Sequence, residues 1–172
     1  MVQDKCKQCD LCLVCSGIEK DEILAPGSAD ALVALEVSEV LRPGFLELLK
    51  PDGVVVLNQQ RIVPANTELA ESPSIEAIRE RLGTRRVVEL DALREARAIG
   101  DEQGRVANVI ALGVLSTLPP LSSIPQGVWR QAIARVSPRE EIQRANVAAF
   151  VQGRQVTKRI EGRPEVASQM HG

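Results

Sequence analysis

Residues 29–58 constrain the fold most, because two apolar runs flank a segment with helical spacing. Residues 31–35 form a short apolar run, as in a strand buried on both faces. Residues 37–49 then repeat apolar side chains at roughly helical spacing, and residues 54–57 form a second strand-like run. Strand, helix and strand within about thirty residues predict a βαβ unit with parallel strands and a right-handed crossover.

Proline and glycine mark interruptions in this unit. Pro43-Gly44 lies inside the helical segment, which predicts a kink or a break into two short helices. Residues 50–53, Lys-Pro-Asp-Gly, predict a turn before the second strand. The polar residues 58–61, Asn-Gln-Gln-Arg, then follow at the carboxyl end of that strand, where open α/β sheets place ligands. A solvated loop is the simpler interpretation, since strand ends are polar in any case.

The rest of the chain alternates helical patterns with one further strand, predicted at residues 86–90. Ser72 or Ser74 is predicted to cap the first of these helices and Gly83 to end it, and Asp91 is predicted to cap the next. The predicted helices cover residues 72–82, 91–99, 105–118, 126–136 and 137–153.

The helix at residues 105–118 is apolar on nearly every side, so we expect it at the centre of the domain or at a subunit interface. Its small residues, which allow a neighbouring backbone to come close, are Ala107, Ala111 and Gly113. The predicted inward face of the helix at residues 126–136 consists of Trp129, Ile133 and Val136. Gly153 is predicted to end the last helix.

These patterns predict an α/β fold, a three-layer open and mostly parallel sheet flanked by helices. Residues 18–153 would form the domain, preceded by a Cys-rich leader at residues 1–17. Residues 154–172 are charged and aperiodic, which predicts a disordered tail.

Composition and motifs exclude several classes of function. The net charge is −2 and aromatic residues make up 2% of the 172 residues, so neither a basic footprint nor stacking platforms for nucleic acid are expected. No apolar run approaches the ~20 residues of a membrane span, and the N-terminus lacks the apolar core of a signal peptide, which favours a cytoplasmic protein. The only histidine is His171, and no phosphate-binding loop is present, so the chain alone does not resemble a complete enzyme.

All four cysteines, Cys6, Cys9, Cys12 and Cys15, are separated from one another by two residues. Thiolates at this spacing can converge on one iron–sulfur cluster, as in the ferredoxin run C-x2-C-x2-C-x3-C-P. Here the last spacing is one residue shorter, and Ser16 stands where that run has proline. A structural zinc site and a leader that binds no metal remain the alternatives.

Longer stretches of the sequence carry a family resemblance. The segments GSADALVALEVSEVLR, LLKPDGVVVLNQQRIVP, PSIEAIRERL, RVVELDA, RVANVIALGVLSTL and NVAAFVQG occur in this order. Together they resemble the gamma domain of 2-oxoacid:ferredoxin (or flavodoxin) oxidoreductases, and within that family the chain is most similar to the indolepyruvate oxidoreductase beta subunit. The family domain opens with a GxGGQG-like turn and an HGMAQRGG-like loop, and this sequence has neither. Relative to the family, the predicted domain is therefore N-terminally truncated.

The resemblance implies a subunit of a complex that oxidatively decarboxylates a 2-oxoacid such as indolepyruvate or pyruvate to an acyl-coenzyme A. It implies thiamine diphosphate, coenzyme A and further iron–sulfur clusters on partner subunits, with ferredoxin as the electron acceptor. This chain would shape the assembly and transfer electrons if its cysteines hold a cluster. A non-enzymatic assembly or binding module and a small iron–sulfur electron carrier are the alternatives. The sequence assigns no catalytic residue and no residue that binds an organic cofactor.

Overall fold

The structure is a computed structural model that describes residues 24–61 and 74–161. Three parallel strands form its sheet in the order β1-β2-β3, with β1 at Ala29–Ala34, β2 at Leu49–Asn58 and β3 at Arg86–Leu90. Residues 54–58 of β2 are buried because this central strand is paired on both sides and covered on both faces. The predicted strand at residues 86–90 is confirmed.

Helices cover both faces of the sheet and produce three layers. One face of the sheet packs, through Leu32, Val55 and Leu57, against two 3₁₀ helices, Val37–Leu41 and Leu46–Leu48, and against α1, Ile75–Leu82. The other face packs, through Val56 and Val88, against three helices: α2 at Ala92–Arg97, α3 at Ala107–Leu115 and α5 at Glu140–Glu161. Helix α4, at Gln126–Val136, packs on α5. The predicted three-layer α/β fold is confirmed.

The crossover between β1 and β2 breaks where the sequence predicts. Pro43 and Gly44 separate the two 3₁₀ helices, and Gly44 has a φ of +82°, which favours glycine. Further along, the Ser74 side chain accepts a hydrogen bond from the Ala77 N–H and caps α1, and Gly83 follows its last residue. Asp91 likewise caps α2. Local capping chemistry thus fixes these helix ends as expected.

The predicted turn at residues 50–53 is wrong, because this segment lies inside β2 as a bulge. Ala29 pairs with Leu49 but Ala31 pairs with Val54, so β2 carries three additional residues between the two pairs. Pro51 has no N–H to donate to a ladder, which explains the local loss of pairing. A Cβ on Gly53 would lie 2.6 Å from the Leu49 side chain, so a larger residue there would displace that leucine.

The predicted end of the last helix at Gly153 is also wrong. Helix α5 runs through Gly153 to Glu161, so residues 154–161 of the predicted disordered tail are helical. Val156 and Thr157 are buried in this extension, and tertiary burial therefore stabilises a segment whose local sequence has little periodicity. Residues 162–172 of the predicted tail lie outside the described residues.

Helix α3 occupies the centre, as its apolar sequence predicts. It packs against α5, α2, β1 and β2, and Ile110 and Val114 are fully buried. Val136, predicted to face inward, is instead 80% exposed, at the last residue of α4. In the part of the chain that the structure describes, no helix has both the length and the apolar character needed to cross a membrane.

Candidate functional site

The carboxyl ends of the strands form a structural junction. Asn58, at the end of β2, is 4% exposed. Its Nδ2 donates a hydrogen bond to the Leu35 carbonyl oxygen at 2.8 Å, and its Oδ1 accepts one from the Ala92 N–H at 3.0 Å. Asn58 therefore ties the end of β1 to the first turn of α2. Because both ends of the amide are occupied, this side chain is not free to bind a ligand.

The residues that follow Asn58 are exposed and fit the solvated-loop interpretation. The Gln59 side chain donates to Glu89 Oε2 at 2.8 Å, and the Gln60 carbonyl accepts from the Val37 N–H at 2.9 Å. The pKa of Glu76 is lowered, mainly by hydrogen bonds from its own N–H and from Ser74. The charge of Arg61 lowers it further. These contacts brace the strand ends against their neighbours.

Sequence reasoning missed one buried carboxylate, Glu95 of α2, which is 4% exposed. Gln152 Nε2 and an Arg159 Nη each donate to its Oε2 at 2.7 Å, and Arg94 donates to its Oε1 at 3.3 Å. Burial is the largest influence and raises the pKa of Glu95. The hydrogen bonds from Arg159 and Gln152 and the charge of Arg159 together outweigh it, so the pKa lies below its ordinary value.

This carboxylate is held ionised and fully bonded, which suits a clamp between α2 and α5 and does not suit a general acid. A signal for it was present in the sequence. Glu95 lies three residues after Ala92 and next to Ala96, both buried, so it falls on the apolar face of α2. A carboxylate on an apolar face indicates a buried partner, but the partner itself lies far away in the sequence.

A second polar contact closes the far end of α3. Arg154 of α5 donates to the Ser116 Oγ at 2.8 Å and to the Ser116 carbonyl at 3.2 Å. Its guanidinium also lies 5.9 Å from the centre of the Phe150 ring. Phe150 in turn stacks on Trp129 of α4, with ring centres 5.9 Å apart. Arg154 therefore satisfies the carbonyl of Ser116, which follows the last residue of α3, and lies against the aromatic pair between α4 and α5.

An open groove of about 500 Å³ lies on the outer side of α4 and α5. We call it the α4/α5 groove, and it is lined by Arg130, Gln143, Arg144, Val147, Ala148, Val151 and Gln152. A second depression, of about 330 Å³, shares Arg130, Gln143 and Val147 with it. The two depressions therefore form one continuous trough with an apolar floor and basic side chains on its rim. The sequence predicted neither.

The predicted metal ligands Cys6, Cys9, Cys12 and Cys15 lie outside the described residues. Over residues 24–61 and 74–161, the structure brings no three histidine, cysteine or acidic residues together as a metal site. The prediction for the four cysteines therefore remains a prediction.

Comparison with known protein families gives a match over most of the chain. The family model described as pyruvate ferredoxin/flavodoxin oxidoreductase matches residues 11–156. Neither the curated proteins nor the solved structures contain a significant match. The matched region starts between Cys9 and Cys12 and reaches the part of α5 that lies beyond Gly153. It therefore includes both helical layers and the whole described sheet.

Proposed function

The chain belongs to the pyruvate ferredoxin/flavodoxin oxidoreductase family, and we propose that it is a non-catalytic, gamma-type subunit of a thiamine-diphosphate-dependent 2-oxoacid:ferredoxin oxidoreductase. The family match across residues 11–156 is the observation that carries this proposal. We further propose a cytoplasmic complex related to the indolepyruvate enzyme, with indolepyruvate or pyruvate as the 2-oxoacid. Its product would be an acyl-coenzyme A, and ferredoxin would accept the electrons.

The non-catalytic role is supported by how the polar side chains are used. Asn58 and Glu95 are buried polar residues of types that can act in catalysis. The side chain of each is hydrogen-bonded to other elements of the fold. The residues that the structure describes include neither histidine nor cysteine. The catalytic chemistry is therefore assigned to partner subunits that bind thiamine diphosphate and coenzyme A.

The cysteine run is proposed to hold one iron–sulfur cluster. Four cysteine thiolates are the donor set that such clusters take, and the first two spacings here equal those of the ferredoxin run. Cys6, Cys9, Cys12 and Cys15 would be the ligands, and the cluster would supply one-electron transfer between the partner subunits and ferredoxin. The remainder of the chain would position this segment in the complex.

A purification under anaerobic conditions tests the proposal. The tagged full-length chain should co-purify from its own cells with larger subunits that contain thiamine diphosphate. The complex, but not the isolated chain, should reduce a viologen dye when a 2-oxoacid and coenzyme A are supplied. Dye reduction by the isolated chain would contradict the non-catalytic role, and the absence of any thiamine-type subunit would contradict membership of a complex.

Metal analysis of the same preparations separates the proposal from its alternatives. Iron and acid-labile sulfide bound to the isolated chain should disappear in a variant with Cys9→Ser and Cys12→Ser. If the chain binds a cluster but joins no partner subunit, the result would favour a small electron carrier. Iron-free protein that still joins the complex would leave a purely structural subunit, and one equivalent of zinc would indicate a structural metal site.

A further inference from the structure

The rim of the α4/α5 groove carries positive charge that the chain does not neutralise. The Arg130 side chain has no hydrogen bond and no ion pair among the residues that the structure describes. Arg144, on the opposite rim, pairs only with Glu140, at 2.7 Å. Both partners in that pair are at least 70% exposed, so it contributes little to stability and is readily exchanged.

The basic rim belongs to a wider asymmetry of charge. Residues 126–161, which include α4 and α5, contain seven basic and three acidic residues, whereas the whole chain has a net charge of −2. The other described residues, 24–61 and 74–125, contain ten basic and twelve acidic residues, so α4 and α5 carry the positive charge of the described structure. Of the seven basic residues, Arg154 and Arg159 are engaged by Ser116 and Glu95, and the others include both arginines of the groove rim. Such a surface attracts an acidic partner, and it does so with an orientation.

Beneath this rim the groove is apolar. Val147 and Val151 lie half-buried along its floor, and Ala134 extends the apolar lining at the α4 side. Ile133 is the only buried residue of the eleven in α4, so this helix is covered on one side and open on the other. An apolar floor between basic rims is the form of surface that receives an amphipathic helix.

We propose that the α4/α5 groove binds an acidic amphipathic helix from another subunit of the oxidoreductase complex, an inference that rests on the proposed function. Apolar residues of that helix, three or four positions apart, would contact Val147 and Val151. Carboxylates on its two flanks would pair with Arg130 and Arg144. The eleven residues of α4 span about 16 Å, so about three turns of the partner helix would be in contact.

Photocross-linking in the intact complex identifies the occupant. Ala148, an exposed residue of the groove, is replaced by benzoylphenylalanine in the full-length chain, and the complex is purified from its own cells. The matched control carries the same cross-linker at Glu80, an exposed residue of α1 on the opposite side of the sheet. The adduct from Ala148 should map to a helical, acidic segment of another oxidoreductase subunit. Adducts confined to this chain, to a second copy of it or to nucleic acid would overturn the proposal.

Charge reversal tests the electrostatic part. Arg130→Glu should weaken the affinity for the complex at least fivefold at low salt, and the difference should shrink as salt rises. The control Arg79→Glu reverses an exposed arginine on α1 and should bind like the wild type. Replacing the cross-linked acidic residue of the partner by lysine should restore binding to Arg130→Glu.

Different outcomes contradict the groove proposal and the proposed function. If Arg130→Glu and the partner's charge change both leave the affinity unaltered while the wild-type complex assembles, the groove proposal is wrong and the proposed function stands. If the wild-type chain joins no other oxidoreductase subunit, both are wrong.

Discussion

Two glycines set the distance between the central helix and the last one. The Cα atoms of Gly113 in α3 and Gly153 in α5 face each other across the helix crossing. A Cβ built on Gly113 would lie 2.3 Å from the Phe150 carbonyl oxygen, and one built on Gly153 would lie 2.1 Å from the Ile110 carbonyl oxygen. Both neighbours are backbone atoms, so no side-chain rearrangement can relieve the overlap.

We therefore expect Gly113→Ala to destabilise the fold by about 1–3 kcal/mol or more, as overpacking does in a tight core. The matched control is Gly127→Ala in α4, where a Cβ would meet no atom within 4 Å. That change should be neutral or stabilise by up to about 1 kcal/mol, because alanine favours the helix. Urea denaturation of both variants measures the difference, and equal midpoints would contradict the close crossing.

Asn58 offers a second test at the scale of single residues. Asn58→Ala leaves the Leu35 carbonyl and the Ala92 N–H without their partner in a buried junction, so we expect a loss of about 2–3 kcal/mol in the free energy of unfolding. Asn108→Ala, on an exposed position of α3, should change it by less than about 0.5 kcal/mol. A similarly small effect at Asn58 would mean that the junction is not held by this amide.

Glu95 makes stability depend on pH in a defined direction. Because its pKa is lowered in the folded chain, its ionised form stabilises the fold above the ordinary value of 4.5, and this contribution is lost as the pH falls through the lowered pKa. Glu95→Gln should therefore cost about 1–2 kcal/mol at neutral pH. The gap to the wild type should close in acid. Unfolding curves at several pH values measure it, with the exposed Glu80→Gln as control; a gap that persists below the lowered pKa would refute the charge-based explanation.

At the scale of elements, the extension of α5 beyond Gly153 completes the domain. It buries Val156 and Thr157, places the Thr157 hydroxyl 3.0 Å from that of Thr117, just beyond α3, and carries Arg159 to Glu95. The last helix therefore closes over α3 and α2 together. Residues 154–161 therefore contribute buried side chains and hydrogen bonds to the fold, as the preceding elements do.

A chain that ends at Gly153 should consequently lose several kcal/mol of stability, on the order of 4, from the buried valine and the broken Glu95 contacts. A chain that ends at Glu161 should retain the stability of the full-length protein, because α5 is then intact. Thermal unfolding of the three lengths distinguishes them. Equal melting temperatures for the chain that ends at Gly153 and the full-length protein would show that residues 154–161 do not contribute to stability.

At the scale of the whole molecule, the described sheet has two edges, β1 and β3. The edge at β3 carries the charges of Arg86 and Glu89, which oppose pairing with another strand. The edge at β1 has only Asp30, near its start, and that charge is engaged by Lys50 at 2.5 Å. Leu35, just beyond β1, is 39% exposed. The β1 side is therefore the less protected side of the sheet.

We expect the isolated chain to oligomerise with rising concentration and to bind an apolar dye, since an unprotected edge and exposed apolar residues favour association. Light scattering and dye fluorescence measure both properties, with the assembled complex as the control in which they should be reduced. A stable monomer at high concentration that binds no dye would show that the sheet is already closed.

Structural features that depend on residues close together in the chain could be predicted from the sequence. Capping by Ser74 and Asp91, the break at Pro43 and Gly44, the strand at residues 86–90 and the central position of α3 all follow from local chemistry or from periodicity. Periodicity reports which face of an element is buried, so it was sufficient for the three-layer α/β fold.

The residues that contact each buried face became known from the tertiary structure. Gly153 is a residue type that often ends a helix. Here it lies where α5 crosses α3, because Gly113 lies opposite it. Glu95 is held by residues 57 and 64 positions away, a separation that no local pattern encodes. The α4/α5 groove likewise depends on contacts between two helices, among them the stacking of Trp129 on Phe150. Contacts between distant segments depend on the folded arrangement, and they determined the surfaces on which the proposed function depends.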